Sequence, residues 1–478
     1  MESQPALPLA RARGARALVF YGGMLAVAVA AFFAVRSVGV NLTAPGGPGL
    51  CPVAAGQSMN TLFHSLLALA AIIVTSRLVG VAFRHLGQPS VIGEVFGGIL
   101  LGPSLLGSVA PSLYALLLPS SVAPFLGTYA QIGVILYLFL VGLELDLGIL
   151  RTSGQAALAI SHASIVVPFF LGSCLALVLY PALSTSAVPF TVFALFLGVS
   201  LSVTAFPVLA RILTDQGISR SRMGALALTC AAIDDVTAWC LLAVVVSIAQ
   251  SDLSDAVRTV ALTGAFVVVV LKFVAPVVRQ RLLPRIEQAP DLTRTSLSII
   301  FSAILLSAMT TEFIGIHGFF GAFLFGAIIP HSSRIAGELT RRLDDIVAVL
   351  LLPAFFAYTG MRTQIGLVSG AGNWLLCAAI IAVACVGKFG GTVMAARFSG
   401  LGWRDASALG VLMNTRGMVE LIVLNLGLDL GVISPTLFTM LVIMALVTTF
   451  IATPLLHWLL RDHPWIERSA GHVGAMAG

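Results

Sequence analysis

The chain has 478 residues, of which 58% are hydrophobic and only 10% are charged. The mean hydropathy of +1.04 indicates a polytopic membrane protein and excludes a soluble globular one. The formal net charge of +6 is not gathered into a basic patch on a soluble face, so nucleic acid is not an expected partner.

Apolar runs of about 20 residues, the length that spans a bilayer as an α-helix, follow one another from end to end. We therefore predict an all-α polytopic membrane protein with about 13–14 transmembrane helices. The predicted spans lie near residues 17–38, 59–83, 88–107, 124–146, 154–182, 188–213, 221–250, 256–280, 293–312, 315–332, 343–361, 372–397, 404–428 and 434–460.

The first run is open to two interpretations. Arg11, Arg13 and Arg16 precede an apolar stretch, a pattern shared by a retained helix and a cleaved signal peptide. The run continues through Val38, which is long for a signal peptide and favours a retained helix. Cleavage would leave the orientation of the C-terminus unchanged.

The distribution of arginine predicts the orientation. With the N-terminus inside, most arginines fall in inside loops, and the outside loops hold chiefly Arg36, Arg258 and Arg362. Both termini are then cytoplasmic, in what we expect to be a bacterial inner membrane. Spans two to seven and nine to fourteen run in opposite directions, as in the inverted repeats of secondary transporters.

In each half the fifth span is interrupted. The sixth span contains SVTAFPVLARIL, in which Thr204 and Pro207 break the apolar pattern, and the thirteenth contains GVLMNTRGMVEL, with polar residues at 414–416. Freed backbone groups at membrane depth are tolerated only where they are buried in protein or face water. Two kinked structural helices are the alternative, but the symmetry favours a binding site.

The seventh span places Asp234 and Asp235 side by side in LALTCAAIDDVTAWCLLAVVV, residues 226–246. A charge at the bilayer centre is costly, and such residues are functional by default. Successive side chains point about 100° apart on a helix. One carboxylate can therefore face a cation cavity while the other faces a neighbouring helix. A buried hydrogen-bonded pair with only a structural role is the alternative.

The chain has two lysines, Lys272 and Lys388. Lys388 lies in the middle of the twelfth span, and its expected partner is Asp234 or Asp235. Lysine, unlike arginine, titrates readily when it is buried. A snorkelling side chain is the alternative for Lys388 and the favoured interpretation for Lys272, which lies near a cytoplasmic end.

Arg416 and Glu420 are four residues apart and can pair across one helical turn. We expect them to neutralise half-helix ends, because interrupted helices point their dipoles at the membrane midplane.

Several function classes are disfavoured. No GxxxxGK[ST] motif is present, so an ATP-driven pump is not predicted. No CxxC or cysteine–histidine spacing predicts a metal, and no cofactor is expected. An intramembrane aspartyl protease would need its two aspartates on different helices, so we do not predict an enzyme.

Five motifs carry a family resemblance: QPSVIGEVFGGILLGPSLLG, SVTAFPVLARIL, AAIDDVTAW, GIHGFFGAFLFGAIIP and MNTRGMVELIVLN. In this order, over roughly residues 59–460, the chain resembles the monovalent cation/proton antiporter superfamily. The nearest branch contains plant cation/proton exchangers and bacterial sodium/proton antiporters. The resemblance implies two inverted six-helix repeats with two crossing interrupted helices, a homodimer and an elevator-like movement.

The resemblance also implies a domain plan. An extra membrane segment and outside loop occupy residues 1–58, the antiporter domain residues 59–460, and a short cytoplasmic tail residues 461–478. Within the antiporter domain, three parts are expected: a core at about 154–250 and 372–460, a dimerisation part at about 59–146 and 293–361, and a linker helix at 256–280.

By the same resemblance Asp235 is the main ligand of sodium or potassium, and Asp234 forms an ion pair with Lys388. The interrupted helices line or support the site through Thr204, Asn414 and Thr415. An Asp-Asp pair, rather than Asn-Asp, is associated with electrogenic antiporters. The predicted function is electrogenic monovalent cation/proton antiport with cation and protons competing at Asp235. The alternatives are an electroneutral potassium/proton exchanger and, less favoured, a sodium-coupled solute symporter. Membrane lipid and a second copy of the chain are the other expected partners.

Overall fold

The structure is a computed structural model. It describes residues 55–144, 155–185, 188–216, 218, 221–250, 253–287 and 292–461. The chain divides into two compact units, Met1–Met59 and Asn60–Gly478, and the fold described below is that of the second. The predicted first span, residues 17–38, lies outside the described residues.

All regular secondary structure in the described part of the chain is helical. The helices are α1 Ala55–His85, α2 Ser90–Leu101, α3 Leu106–Val109, α4 Pro111–Leu117, α5 Ala123–Glu144, α6 Gln155–Leu183, α7 Phe190–Ser202, α8 Phe206–Asp215, α9 Arg222–Gln250, α10 Leu253–Val269, α11 Arg294–Ile314, α12 Gly318–Ile328, α13 Arg334–Ile346, α14 Leu352–Arg362, α15 Gly370–Phe398, α16 Trp403–Met413, α17 Met418–Asp429 and α18 Pro435–Leu460. Further helical turns extend α10 to Glu287, a π-helical turn at Val347–Leu351 joins α13 to α14, and a short 3₁₀ turn lies at Ile365–Leu367.

The prediction of an all-α polytopic membrane protein is confirmed. Within the described residues, 11 helices are long and apolar enough to cross a membrane, or up to 12 if α16 and α17 count as one bent span. The predicted span at 315–332 is shorter than expected, because α12 has only 11 residues. It begins after His317, whose φ of 70° turns the chain out of helical geometry.

The two halves of the chain pack reciprocally. The second helix of the first half, α2, packs on the third helix of the second half, α14. Conversely, the third helix of the first half, α5, packs on the second helix of the second half, α12. The fourth members, α6 and α15, pack on each other. A twofold relation between the halves produces this pattern. Glycines permit the close approach, since a Cβ on Gly360 would lie 2.2 Å from the carbonyl carbon of Gly98.

The interrupted helices are the pairs α7/α8 and α16/α17, and their breaks meet. Residues 203–205 leave helical geometry between α7 and α8, and the second pair bends by 44° at residues 414–417. The Ala205 amide donates a hydrogen bond to the Thr415 carbonyl at 3.2 Å. Pro207 lies in the first turn of α8, where its missing N–H is not needed, so it starts the second half-helix.

Candidate functional site

Asp234 on α9 is fully buried and surrounded by donors. Its Oδ1 accepts a hydrogen bond from the Ser161 hydroxyl at 2.5 Å. Its Oδ2 accepts from Ser164 at 2.6 Å and from Thr204 at 2.7 Å. Both serines come from α6, and Thr204 comes from the break between α7 and α8. Asp234 is thus held by hydroxyl groups from two neighbouring segments.

Lys388 on α15 is also fully buried, so it does not snorkel. Its Nζ lies 3.3 Å from Asp234 Oδ2 and donates to the carbonyls of Ser164 and Ser202. Each of the three ammonium protons therefore has an acceptor. Lys272, for which snorkelling was expected, is exposed in the helical extension of α10.

Asp235 has the opposite environment. It is 2% exposed, yet among the described residues no side chain donates a hydrogen bond to either of its carboxylate oxygens. The backbone amide of Phe206, at the start of α8, is the donor that approaches it. A buried carboxylate with so little hydrogen bonding is costly, so this group is expected to hold a proton or a cation. The two neighbouring aspartates thus have separate roles available to them.

The other two predicted lining residues act differently from Thr204. The Asn414 amide nitrogen lies 3.6 Å from Cys385 Sγ, and its Oδ1 is buried with no hydrogen-bond partner among the residues that the structure describes. The Thr415 hydroxyl donates to the Leu412 carbonyl of its own helix at 2.7 Å. Thr415 therefore supports the crossing through its backbone. Within the described residues, neither side chain donates a hydrogen bond to an aspartate.

Arg416 and Glu420 form a buried ion pair, with Nη1 3.0 Å from Oε2. Arg416 also donates to the carbonyls of Ser200 at 2.8 Å and Leu201 at 2.7 Å. The last carbonyls of a helix lack partners and carry partial negative charge. Arg416 thus neutralises the C-terminal end of α7, which belongs to the first interrupted pair. Lys388 does the same at the next carbonyl, that of Ser202.

A cavity of about 440 Å³ lies between α5, α11, α12, α14 and α17. Its polar lining includes Glu312, His317, Asn425 and Asp429. Asp235 is not among its lining residues. In the described part of the chain no group of three or more His, Cys, Asp or Glu side chains could hold a metal ion.

The contribution of Ser161 and Ser164 was not predicted. Serine is common in membrane helices, where its hydroxyl usually bonds the carbonyl one turn earlier. The available signal was their i,i+3 spacing, which puts both hydroxyls on one face of an otherwise apolar span.

The comparisons with known proteins agree with this architecture. The family model described as "Sodium/hydrogen exchanger, transmembrane" matches residues 67–462. The Na⁺/H⁺ antiporter NhaS4 of Synechocystis is 44% identical over 405 residues, covering 83% of this chain and 97% of that protein. Cation/H⁺ antiporter 18 of Arabidopsis thaliana is 40% identical, covering 82% of this chain. K⁺/H⁺ antiporter 1 of Saccharomyces cerevisiae is 35% identical, covering 83%.

The chain spans about half the length of these plant and yeast relatives, 48% and 46% respectively. Among solved structures, the sodium proton antiporter MjNhaP1 from Methanocaldococcus jannaschii matches with a TM-score of 0.61 at 15% identity, over 84% of this chain and 97% of that one. That likeness concerns the fold. The family match over most of its length shows that the chain belongs to the transmembrane sodium/hydrogen exchanger family.

Proposed function

We propose that the protein exchanges a monovalent cation, sodium or potassium, for protons across the membrane, with Asp235 as the shared binding site. The observation that carries the proposal is the contrast between the neighbouring carboxylates. Asp234 accepts hydrogen bonds from three hydroxyl groups, whereas in the described part of the chain no side chain donates to either oxygen of buried Asp235. Relatives named as Na⁺/H⁺ and K⁺/H⁺ antiporters support the same activity.

Competition at one carboxylate explains obligatory exchange. A protonated Asp235 is neutral, and so is Asp235 with a bound monovalent cation, whereas the bare carboxylate carries a charge into a low-dielectric interior. Only the two neutral forms can cross readily. Cation choice then depends on the oxygen atoms that replace the hydration shell.

The placement of the polar contacts supports an elevator movement. Asp234, its three hydroxyl partners and Lys388 all belong to segments 154–250 and 372–460. These segments can move as one core body without breaking the ion pair. We propose that residues 59–146 and 293–361 form the fixed part, through which two copies associate, with helix 256–280 as the linker.

The electrogenic form of exchange requires Lys388 to release its proton when the cation binds. The adjacent pair Asp234 and Asp235 favours electrogenic exchange, by resemblance to electrogenic antiporters. The competing function is electroneutral exchange, and one observation favours it. Every ammonium proton of Lys388 has an acceptor and Asp234 has hydroxyl donors, an arrangement suited to a permanent ion pair.

The test is proton-coupled cation flux in proteoliposomes at zero and imposed membrane potential. Wild type, Asp235→Asn and Lys388→Gln are compared with sodium, potassium and lithium. We expect potential-sensitive exchange in wild type, no cation-dependent proton movement in Asp235→Asn, and loss of the potential response in Lys388→Gln.

Wild-type exchange that ignores the potential would refute the electrogenic form and support electroneutral exchange. Undiminished exchange by Asp235→Asn would refute the shared site. Flux of cation and an organic solute in the same direction, without dependence on an opposing pH gradient, would support the symporter instead.

A further inference from the structure

The C-terminal end of α14 is joined to α17 by hydrogen bonds. Arg362, the last residue of α14, donates to Asp429 Oδ1 at 2.5 Å and to Asn425 Oδ1 at 3.1 Å. The Asn425 amide in turn donates to the Thr359 hydroxyl at 2.8 Å. Asn425 and Asp429 are one turn apart, so α17 presents both acceptors on one face. Since α14 belongs to the part proposed to stay fixed and α17 to the core, these contacts cross the boundary at which an elevator must slide.

The Arg362 guanidinium is positioned from the α14 side. Its carbon lies 5.2 Å from the centroid of the Tyr358 ring, one turn earlier on the same helix. The planar guanidinium suits acceptors in a fixed arrangement. The Arg362 side chain is 20% exposed and that of Asp429 is 42% exposed. A partly hydrated ion pair of this kind has a defined geometry but separates at a modest cost in free energy.

Other contacts across the same boundary are apolar. Trp239, on α9 of the core, has its ring 5.4 Å from Phe319 and 6.3 Å from Phe323, both on α12. Apolar contact has no preferred direction, so such faces can shift along each other. A hydrogen bond, in contrast, weakens steeply as its distance and angle change. The hydrogen bonds of Arg362 must therefore break for α17 to slide along α14.

The cavity of about 440 Å³ lies at this boundary. It is lined by helices of the part proposed to stay fixed and by residues of α17, among them Asn425 and Asp429. Its lining also includes Phe319, which packs on Trp239, one turn beyond Asp235. The cavity thus approaches the proposed cation site from the end at which α14 terminates, which is predicted to be the outside.

We propose that Arg362, with its acceptors Asn425 and Asp429, is a latch that holds the core in the conformation open at this cavity, and that the latch breaks and re-forms in each transport cycle. The inference rests on the proposed exchange at Asp235. A contact made in only one conformation shifts the equilibrium toward that conformation. It also favours cation binding from the face that this conformation exposes, because apparent affinity falls with the fraction of molecules able to bind.

The test measures the half-saturating sodium concentration separately on each face of proteoliposomes that hold the full chain in one orientation. Arg362→Met keeps a long side chain but removes the latch. Half-saturation should rise on the cavity face and fall on the opposite face, so that the ratio of the two rises about two- to fivefold. Arg342→Met is the matched control. Arg342 pairs with Glu338 at 2.7 Å and is also partly exposed, but both residues lie on α13, so the ratio should not change.

A second substitution tests whether one interaction is responsible. Asp429→Ala should change the ratio in the same direction as Arg362→Met, and the two together should add little to either alone. Equal shifts on both faces, or an unchanged ratio in both variants, would refute the latch. A damaged cation site would change both faces alike, whereas a shifted equilibrium changes them in opposite directions.

A covalent link provides an independent readout. Arg362→Cys/Asp429→Cys, treated with a short bifunctional thiol reagent that a reductant cleaves, should lose exchange when linked and regain it on reduction. The two single variants, treated in the same way, should continue to exchange. Exchange by the linked protein would refute the latch while leaving the proposed function intact. Cation-dependent exchange retained by Asp235→Asn would instead refute the proposed function.

Discussion

Replacing Arg416 with methionine should destabilise the protein more than any exposed charge substitution. The change keeps a long side chain but leaves the Glu420 carboxylate and the carbonyls of Ser200 and Leu201 without their donor. Both members of the ion pair have 0% side-chain exposure. Breaking a buried pair on one side costs about 3–5 kcal/mol, because an uncompensated charge stays inside.

The magnitude can be separated from a general loss of packing with a double-mutant cycle. Adding Glu420→Gln to Arg416→Met removes the stranded charge and should recover about 1–3 kcal/mol. Arg362→Met is the matched control. Arg362 also pairs with a carboxylate, Asp429 at 2.5 Å, but the two side chains are 20% and 42% exposed. Its loss should cost about 1 kcal/mol or less.

The assay is thermal unfolding of the purified variants in detergent, followed by tryptophan fluorescence and by the monodisperse fraction after heating. From highest to lowest, the expected order of unfolding temperature is wild type, Arg362→Met, the double variant and Arg416→Met. Two results would contradict this role of the buried pair at the end of α7. One is an unfolding temperature of Arg416→Met equal to that of Arg362→Met, and the other is no rise in that temperature when Glu420→Gln is added to Arg416→Met.

Three further outcomes are expected. Ser161→Ala removes a 2.5 Å hydrogen bond to a buried carboxylate and should cost about 1.5–3 kcal/mol in thermal unfolding, against about 1 kcal/mol or less for Ser173→Ala, whose hydroxyl meets only carbonyls. Gly427→Ala would place a Cβ 2.1 Å from Phe196 Cζ, so the folded yield should fall and Phe196→Leu should restore it; a normal yield without the second change would contradict this packing. Asp234→Asn keeps side-chain oxygen but loses the charge, so flux assays should show exchange that persists without a response to membrane potential, and complete inactivity would count against a supporting role.

The parts of the site that could be predicted are those that violate the chemistry of lipid. Asp234, Asp235 and Lys388 are conspicuous because a charge is costly at their depth. Pro207 and the polar residues after Met413 marked the helix breaks for the same reason, since they interrupt an apolar helix. Such signals are local, so one sequence suffices to find them.

The remaining features depend on contacts between distant segments. Ser164 is ordinary in an apolar helix, and its surroundings become unusual only when α6 lies beside α9. Similarly, the apolar run at 315–332 has the composition of a span, but a turn at His317 shortens it to α12. Composition does not distinguish a short helix buried in protein from one that crosses lipid.

The first broken helix and Asp234 depend on two cationic side chains from much later in the chain, and this has a consequence for biosynthesis. Lys388 follows Asp234 by 154 residues, and Arg416 follows Ser200 by 216. At the usual rate of protein synthesis, these two side chains are therefore made roughly 8–40 s after the groups that they contact. During that interval Asp234 and the end of α7 must be kept solvated or shielded by the insertion machinery. The late helices α15 to α17 then complete the first half, and a chain truncated before them should be degraded although it contains both aspartates.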